Sequence, residues 1–194
     1  MFTDEAKFCR RSSDRTIRVW RRRGENRYAE NVVSTSELFG GGGVLVWGGI
    51  CIGGRSELVI IRQNFYSQRY ISDILEPHVL PFAGATDPEH FVLVDDNARP
   101  HRGHIVDTFL DNNNISRMGW PAKSADMNPI ENVWGLLKRR ISRILQPDDN
   151  LRRLEEVLKH EWDSLSQAYI DKCILSMRKR VIACIDAQGS YTKY

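Results

Sequence analysis

Phe91-Val92-Leu93-Val94-Asp95-Asp96-Asn97 is the stretch that decides the fold. Its apolar run is short, is apolar on both faces and is entered from a Pro/Glu/His turn, so it reads as a strand buried in the middle of a sheet. The run then stops on two acids. Open α/β folds form their ligand crevice at the carboxyl edge of the sheet, and acids have no packing reason to be there. Side chains alternate along a strand, so Asp95 and Asp96 point to opposite faces and at most one shares a site with a neighbouring strand. The residues alone leave open which one.

Working outward, a partner strand is offered by Phe2-Thr3-Asp4, which also runs from apolar to acidic and stops. Thr16 to Trp20 alternates, Val44 to Trp47 is rich in β-formers, and Glu57 to Ile61 resumes after a Gly53-Gly54 turn, so the first sixty residues read as a meander. The Gly40 to Gly43 run lacks a following Lys-Ser/Thr and leads into a strand, which makes it a turn and removes the case for a nucleotide cofactor. Tyr70, Ile71, Ile74, Leu75 and Val79 recur at helical spacing in a helix over 66–80 that Pro77 and Pro81 bring to an end. Downstream come a helix over 101–110 and a short strand over 115–118. Asn128-Pro129-Ile130-Glu131 supplies an N-cap, a proline at N1 and an acid at N3, a capping-box start. Ile130, Val133, Trp134, Leu137, Ile141, Ile144 and Leu145 then form one apolar stripe. Two more amphipathic helices are expected over 151–165 and 168–186. Strands followed by alternating helix and strand argue for an α/β layered domain.

At 194 residues and 41% hydrophobic content, the chain can bury a real core as one domain with a helical appendage. The divisions expected are a catalytic domain over 1–145 and a C-terminal helical extension over 146–194 packed on it. Four cysteines without a C-x-x-C pair suggest neither a zinc ribbon nor a disulfide framework, and a reducing compartment fits. The N-terminus has no apolar signal region, and Val44 to Gly54 is too short to cross a bilayer, so no membrane association is expected.

The net charge is +3, but it is unevenly spread. Residues 7–30 hold nine Lys/Arg against three acids, a net of +6, and residues 138–153 hold six against two, a net of +4. Segregation of this kind suits a polyanion on one face, although arginines also simply solvate exposed elements. Arg21 and Arg22 in the first segment, and Lys138 and Arg139 in the second, are the candidate DNA-binding positions.

Two carboxylates held close repel and raise each other's proton affinity unless a cation neutralises them. Magnesium prefers oxygen ligands and is commonly bound by one or two carboxylates together with substrate phosphates. A pair of such ions roughly 4 Å apart suits in-line phosphoryl transfer. Glu131 offers a third acid, about a quarter turn from the centre of its helix's apolar stripe, and Lys138 lies on the same side. The structural alternative is that a Glu at N3 only caps its helix and that acids at strand ends only begin turns. Asn97 is placed to orient Asp96 as a donor. His101 and His104, at i and i+3, form a possible metal pair, but a hard oxygen-liganded ion has little need of imidazole. His104 reads as an ordinary helix residue, and Trp120 and Trp134 read chiefly as core.

Four blocks then resemble, in order, those of the mariner superfamily of transposases, Tc branch. They are Phe2 to Phe8, Gly41 to Gly48, Val94 to His101 and Trp120 to Trp134. Gly189-Ser190-Tyr191-Thr192-Lys193-Tyr194 looks like that branch's usual C-terminal end. The resemblance implies a ribonuclease H-like fold, three layers with a central mixed sheet flanked by helices plus C-terminal helices. It implies a catalytic, metal-binding triad of Asp4, Asp96 and Glu131, with 34 residues between the last two as is typical of the branch. His101, part of a block, is expected to support the site. The implied activity is hydrolysis of DNA at transposon ends and strand transfer into target DNA with two Mg²⁺ or Mn²⁺ ions and no covalent protein intermediate. The implied setting is the nucleus, with DNA and a possible second copy of the chain as partners.

Two departures from the family pattern stand out. Ala125 replaces a usual proline. The chain also begins three residues before Asp4, so a truncated first strand is expected, without the helix-turn-helix domains that recognise transposon ends. A catalytically inactive or co-opted remnant that binds nucleic acid is the alternative this motivates. A helix-turn-helix regulator formed by residues 151–185 is a third reading, which would leave the acids idle.

Overall fold

The structure, a computed structural model, describes residues 1–9, 42–85, 90–122, 124–146, 148–190 and 192. The strand expected over 16–20, Arg21 and Arg22, and most of the first basic segment lie outside the described residues.

Strand β1 (Phe2–Cys9) is the middle of the sheet. It pairs antiparallel with β2 (Gly43–Cys51) along its whole length, from Phe2 opposite Ile50 to Cys9 opposite Gly43. β2 in turn pairs antiparallel with β3 (Gly54–Arg55) and β4 (Val59–Ile61). On the other side of β1, Phe2 bridges Val94 in parallel, with Thr3 N–H on the Val94 carbonyl at 2.9 Å and Val94 N–H on the Met1 carbonyl at 2.8 Å. This bridge attaches the parallel pair β5 (Val92–Leu93) and β6 (Ser116–Arg117). The sheet is therefore mixed, antiparallel on one side of β1 and parallel on the other. One expectation is corrected here. The first strand does not stop at Asp4, because Glu5-Ala6-Lys7-Phe8 keeps the alternation and every residue from Phe2 to Cys9 finds a partner in β2.

Period-two alternation sends β1's even residues to one face and its odd residues to the other. Ala6 and Phe8, with Val44, Val46 and Ile50 of β2, pack beneath α4 (Ile130–Ile144), α5 (Leu151–Asp163) and α6 (Gln167–Leu175). Trp47 and Leu93 pack on the opposite face against a long helix and α3 (His104–Asn112). Helices thus flank the sheet on both sides. The stripe expected on α4 is the one it buries, through Ile130, Val133, Trp134, Leu137 and Ile141, with Ile144 left exposed. The third reading fails on packing: Leu154, Leu158, Trp162 and Ile170 of α5 and α6 are fully buried in this core.

The long helix is built from α1 (Ser67–Tyr70), a π-helical stretch (Ile71–Val79) and α2 (Leu80–Ala85). Neither Pro77 nor Pro81 ends it. Leu80 N–H reaches back five residues to the Leu75 carbonyl, and that wider winding takes in Pro77, which has no N–H to give. His101 does not open a helix as expected; it lies in a 3₁₀ turn (Arg99–Arg102) that Gly103 separates from α3. The last expected helix is two, α6 and α7 (Met177–Asp186). They part at Ser176, whose hydroxyl bonds the Cys173 carbonyl at 2.6 Å in competition with the backbone ladder.

Candidate active site

Three elements meet at the edge of the sheet where β5 ends. Asp4 stands on β1 opposite Gly48 of β2 and shares its face with Ala6 and Phe8, which is the face that α4 covers. Asp96 follows β5 across the bridge from Phe2. Glu131 lies in the first turn of α4, whose start is tied to β1 by the Asn128 side-chain N–H on the Thr3 carbonyl at 3.1 Å. The Asn128 side-chain oxygen accepts from Ile130 N–H at 3.3 Å, the N-capping contact expected. The other half of a capping box is absent, because Asn128's own N–H is taken by the Ala125 carbonyl at 2.9 Å. Glu131 is thereby left to the pocket. Asp4, Asp96 and Glu131 line one cleft of about 390 Å³, roofed by Asn97, Trp120 and Ala125 among others.

The charges in this cleft are unevenly compensated. Burial, then the charge of Glu131 and that of Glu5, push the Asp4 carboxyl up from 3.8 to about 7, against a hydrogen bond from Trp134 Nε1 to its Oδ2 at 3.0 Å. Burial also raises Glu131, and Lys138 works in the opposite direction. Asp96 is held below the usual carboxylate range, first by His101 and then by the Ala98 N–H at 2.8 Å. His101 is 2% exposed, with Nδ1 at 2.9 Å from Asp96 Oδ1 and Nε2 at 3.2 Å from Glu5 Oε1. Burial opposes its charge, but the two carboxylates prevail and lift it to about 10.

Among the described residues, the group of three whose ligating atoms all fall within 4.8 Å of one another is Glu5, Asp96 and His101. His101 lies between the two carboxylates, with Nδ1 toward Asp96 and Nε2 toward Glu5, and a hard divalent cation has little need of imidazole. The cleft acids present carboxylate oxygens alone, the donor set of a hard divalent cation, and burial raises the proton affinity of two of them.

The remaining candidates fall as follows. Asp95, 1% exposed, points to the other face, where it meets Arg102 at 2.8 Å, Tyr70 OH at 3.3 Å and Arg117 at 4.0 Å. Asn97 does not orient Asp96. Its amide donates to the Trp120 carbonyl at 2.7 Å and accepts from Arg102 at 3.0 Å, because a residue one step along the chain points away from its neighbour's side chain. Trp120 is not core but lines the cleft edge-on to Phe2, whereas Trp134 is buried. His104 is exposed on α3 and, among the described residues, bonds its own helix at Thr108. Lys138 and Arg139 are exposed on α4, Lys138 with its Nζ 5.8 Å from the centre of the Phe8 ring.

Sequence reasoning missed Glu5 as the second partner of His101, and the indole N–H of Trp134. It also missed the clamp behind Glu131. Arg180 of α7, 2% exposed, reaches the Asp126 carbonyl and the Asn132 side chain, while Thr192 donates its hydroxyl to Asp126 Oδ2 at 2.7 Å. The i, i+3 spacing of Glu131 and Trp134 was the one available signal; nothing local marks the others.

The sequence profile described as DDE superfamily endonuclease matches residues 1–154. The chain is 33% identical over 196 residues to the transposable element Tcb1 transposase of Caenorhabditis briggsae, and 32% identical over 197 residues to the transposable element Tc1 transposase of Caenorhabditis elegans. Each match takes in all of this chain and 70% of the relative. The crystal structure of the catalytic domain of Mos1 mariner transposase superposes with a TM-score of 0.65 at 17% identity, over 78% of this chain and 76% of that one. The Mos1 paired-end complex with left transposon end gives 0.73 at 15% identity, over 98% of this chain and 55% of that one. Mos1 catalytic domain structures with Raltegravir and either Mg or Mn give 0.64 at 16% identity. At these identities the likeness is one of fold, the ribonuclease H-like fold.

Proposed function

Because this chain belongs to the DDE superfamily endonucleases, we propose that Asp4, Asp96 and Glu131 are the acids with which it hydrolyses phosphodiesters at transposon ends and joins the freed ends to target DNA. It is the catalytic domain of a DNA transposase. The observation that carries the residue assignment is the convergence of three acids, 127 residues apart from first to last, on one cleft.

Two Mg²⁺ or Mn²⁺ ions held by these acids would activate the attacking oxygen and stabilise the leaving one. The chain's own residues bind and orient. His101 holds the Asp96 carboxylate at its Oδ1. Asn97 and Trp120 fix the cleft's rim, and Lys138 and Arg139 offer charge to the phosphates of the strand entering beside α4. A pair of ions is the arrangement that suits in-line phosphoryl transfer at such a cleft. The attacking groups are water and then the 3′-hydroxyl, with no bond to the protein.

Residues 1–145 form the catalytic domain and 146–194 a helical extension packed on it. The working protein pairs with a second copy and acts in the nucleus, where its DNA lies. Plasmid nicking by the purified chain in Mg²⁺ or Mn²⁺ tests the reading. Asp96→Asn and Glu131→Gln each abolish nicking if the assignment is right; unchanged nicking in both rejects it.

A further inference from the structure

Among the described residues Trp134 makes one polar contact, and it is to a cleft acid. The side chain is 1% exposed, in the core beneath α4. A buried indole N–H usually finds an acceptor, although that of Trp47 has none among the described residues, and here the acceptor is Asp4 Oδ2 at 3.0 Å. The neighbouring tryptophan solves the same problem with the backbone: Trp162 Nε1 donates to the Ser56 carbonyl at 2.9 Å. A bond to an ionised carboxylate is stronger and more directional than one to a carbonyl.

The ring is held in place from three sides. Trp162 stacks on it with centroids 5.2 Å apart at 29°, and Phe8 meets it edge-on at 6.0 Å. On the third side lies Gly48, directly opposite Asp4 in the β1–β2 register. A Cβ at Gly48 would stand 2.8 Å from Trp134 Cη2 and 3.0 Å from Trp162 Cη2, so a glycine is what lets the indole reach over the sheet to the acid. Trp134 also lies three residues beyond Glu131, one turn along the same helix face.

We propose that Trp134 is a positioning residue for Asp4, fixing the plane of its carboxylate and setting its place relative to Glu131, because α4 carries both Trp134 and Glu131 on one rigid turn. The inference rests on the reading of Asp4 as a metal ligand. Partners of this kind typically change metal affinity by about 10–100-fold when removed.

Calorimetric titration of Mn²⁺ into the full chain, the Trp134→Phe variant and the Asp4→Asn variant tests it. Phenylalanine keeps the stack on Trp162 and removes only the donor. The expected result is Mn²⁺ binding by the unaltered chain, its loss in Asp4→Asn, and binding about tenfold weaker in Trp134→Phe, whose nicking recovers at higher Mn²⁺ with KM for DNA unchanged. Affinity within twofold of the unaltered chain, in a folded Trp134→Phe, overturns the inference and leaves the metal reading standing. No Mn²⁺ binding by the unaltered chain overturns both. Should Trp134→Phe fail to fold, the indole ¹⁵N–¹H signal of Trp134, assigned through its contacts with Trp162 and Phe8, decides. It moves on Mg²⁺ addition and in Asp4→Asn if the inference holds, and a signal indifferent to both overturns it.

Discussion

Asp95 and Asp96 are neighbours in sequence, yet they belong to two regions that treat negative charge in opposite ways. Behind the sheet, Asp95 is shared among Arg102, Arg117 and Tyr70, and Arg117 in turn holds Asp107. In front of it, Asp4 and Glu131 face each other across a cleft with their proton affinities raised. A buried carboxylate with arginine partners is complete as it stands and contributes structure. Carboxylates held together against their repulsion are incomplete without a cation, and that is the mark of a site. The comparison teaches that burial alone does not mark a site: Asp95 is buried among cations that complete it, whereas burial raises Asp4 and Glu131 by more than Trp134 and Lys138 offset.

The sharpest way to break this contrast is to neutralise an acid on each side. Asp95→Asn leaves two guanidinium groups facing a neutral amide in the interior, and removing one partner of a buried pair costs about 3–5 kcal/mol. Arg102 keeps Asn97 and Arg117 keeps Asp107, which puts the expected loss near the lower end, about 3 kcal/mol in urea unfolding. A loss under about 1 kcal/mol would mean that Asp95 is no more a structural acid than Asp96.

Asp4→Asn is expected to act in the opposite direction. The folded chain holds the Asp4 proton more tightly than the unfolded chain does, at about 7 against 3.8. Between those values the folded state binds more protons, so without metal its stability falls as pH rises from about 4 to about 7 and is level above. Asparagine removes that fall. At pH 8 the metal-free variant should therefore be the more stable one, by about 2 kcal/mol after discounting for solvent at the cleft mouth. Mg²⁺ should raise the melting temperature of the unaltered chain and not that of the variant. Thermal scans at pH 5 and pH 8, with and without Mg²⁺, give the four values required, and a destabilised Asp4→Asn at pH 8 would contradict the raised proton affinity.

What the sequence made legible is the set of features with local signatures. The run into Asp95 and Asp96, the apolar stripe of α4 and the Asn128 cap all depend on residues a few positions apart, and all three are found. Features that depend on distant residues were not legible. β1 was expected to stop at Asp4 because acids punctuate strands; only its partner β2 reveals that Asp4 lies within a paired strand. Trp134 was read as core because hydropathy registers the ring and not its N–H, whose acceptor lies 130 residues away. Pro77 was read as a stop because the usual helix has no room for it, and the π-helical winding that takes it in has no sequence signature here. Asn97 was assigned to Asp96 by adjacency alone, whereas its partners lie on a loop and a turn that the chain had yet to bring beside it.

The smallest expected effect concerns the segment that delivers Glu131 to the cleft. Asp126 lies five residues before Glu131 and is held at its carboxylate by Thr192 and at its carbonyl by Arg180. Thr192→Val keeps the shape and deletes the hydroxyl bond, so the stability change should be about 1 kcal/mol or less. If the two contacts only anchor the C-terminal end, Mn²⁺ affinity will not follow. If they hold the approach to α4, the same variant will weaken Mn²⁺ binding a few-fold while its melting temperature barely moves. The second outcome is the one expected, because the Thr192 hydroxyl and Arg180 converge on one residue of the loop that lines the cleft. It would place part of the cleft's geometry in residues beyond 154, where the match to the family profile ends.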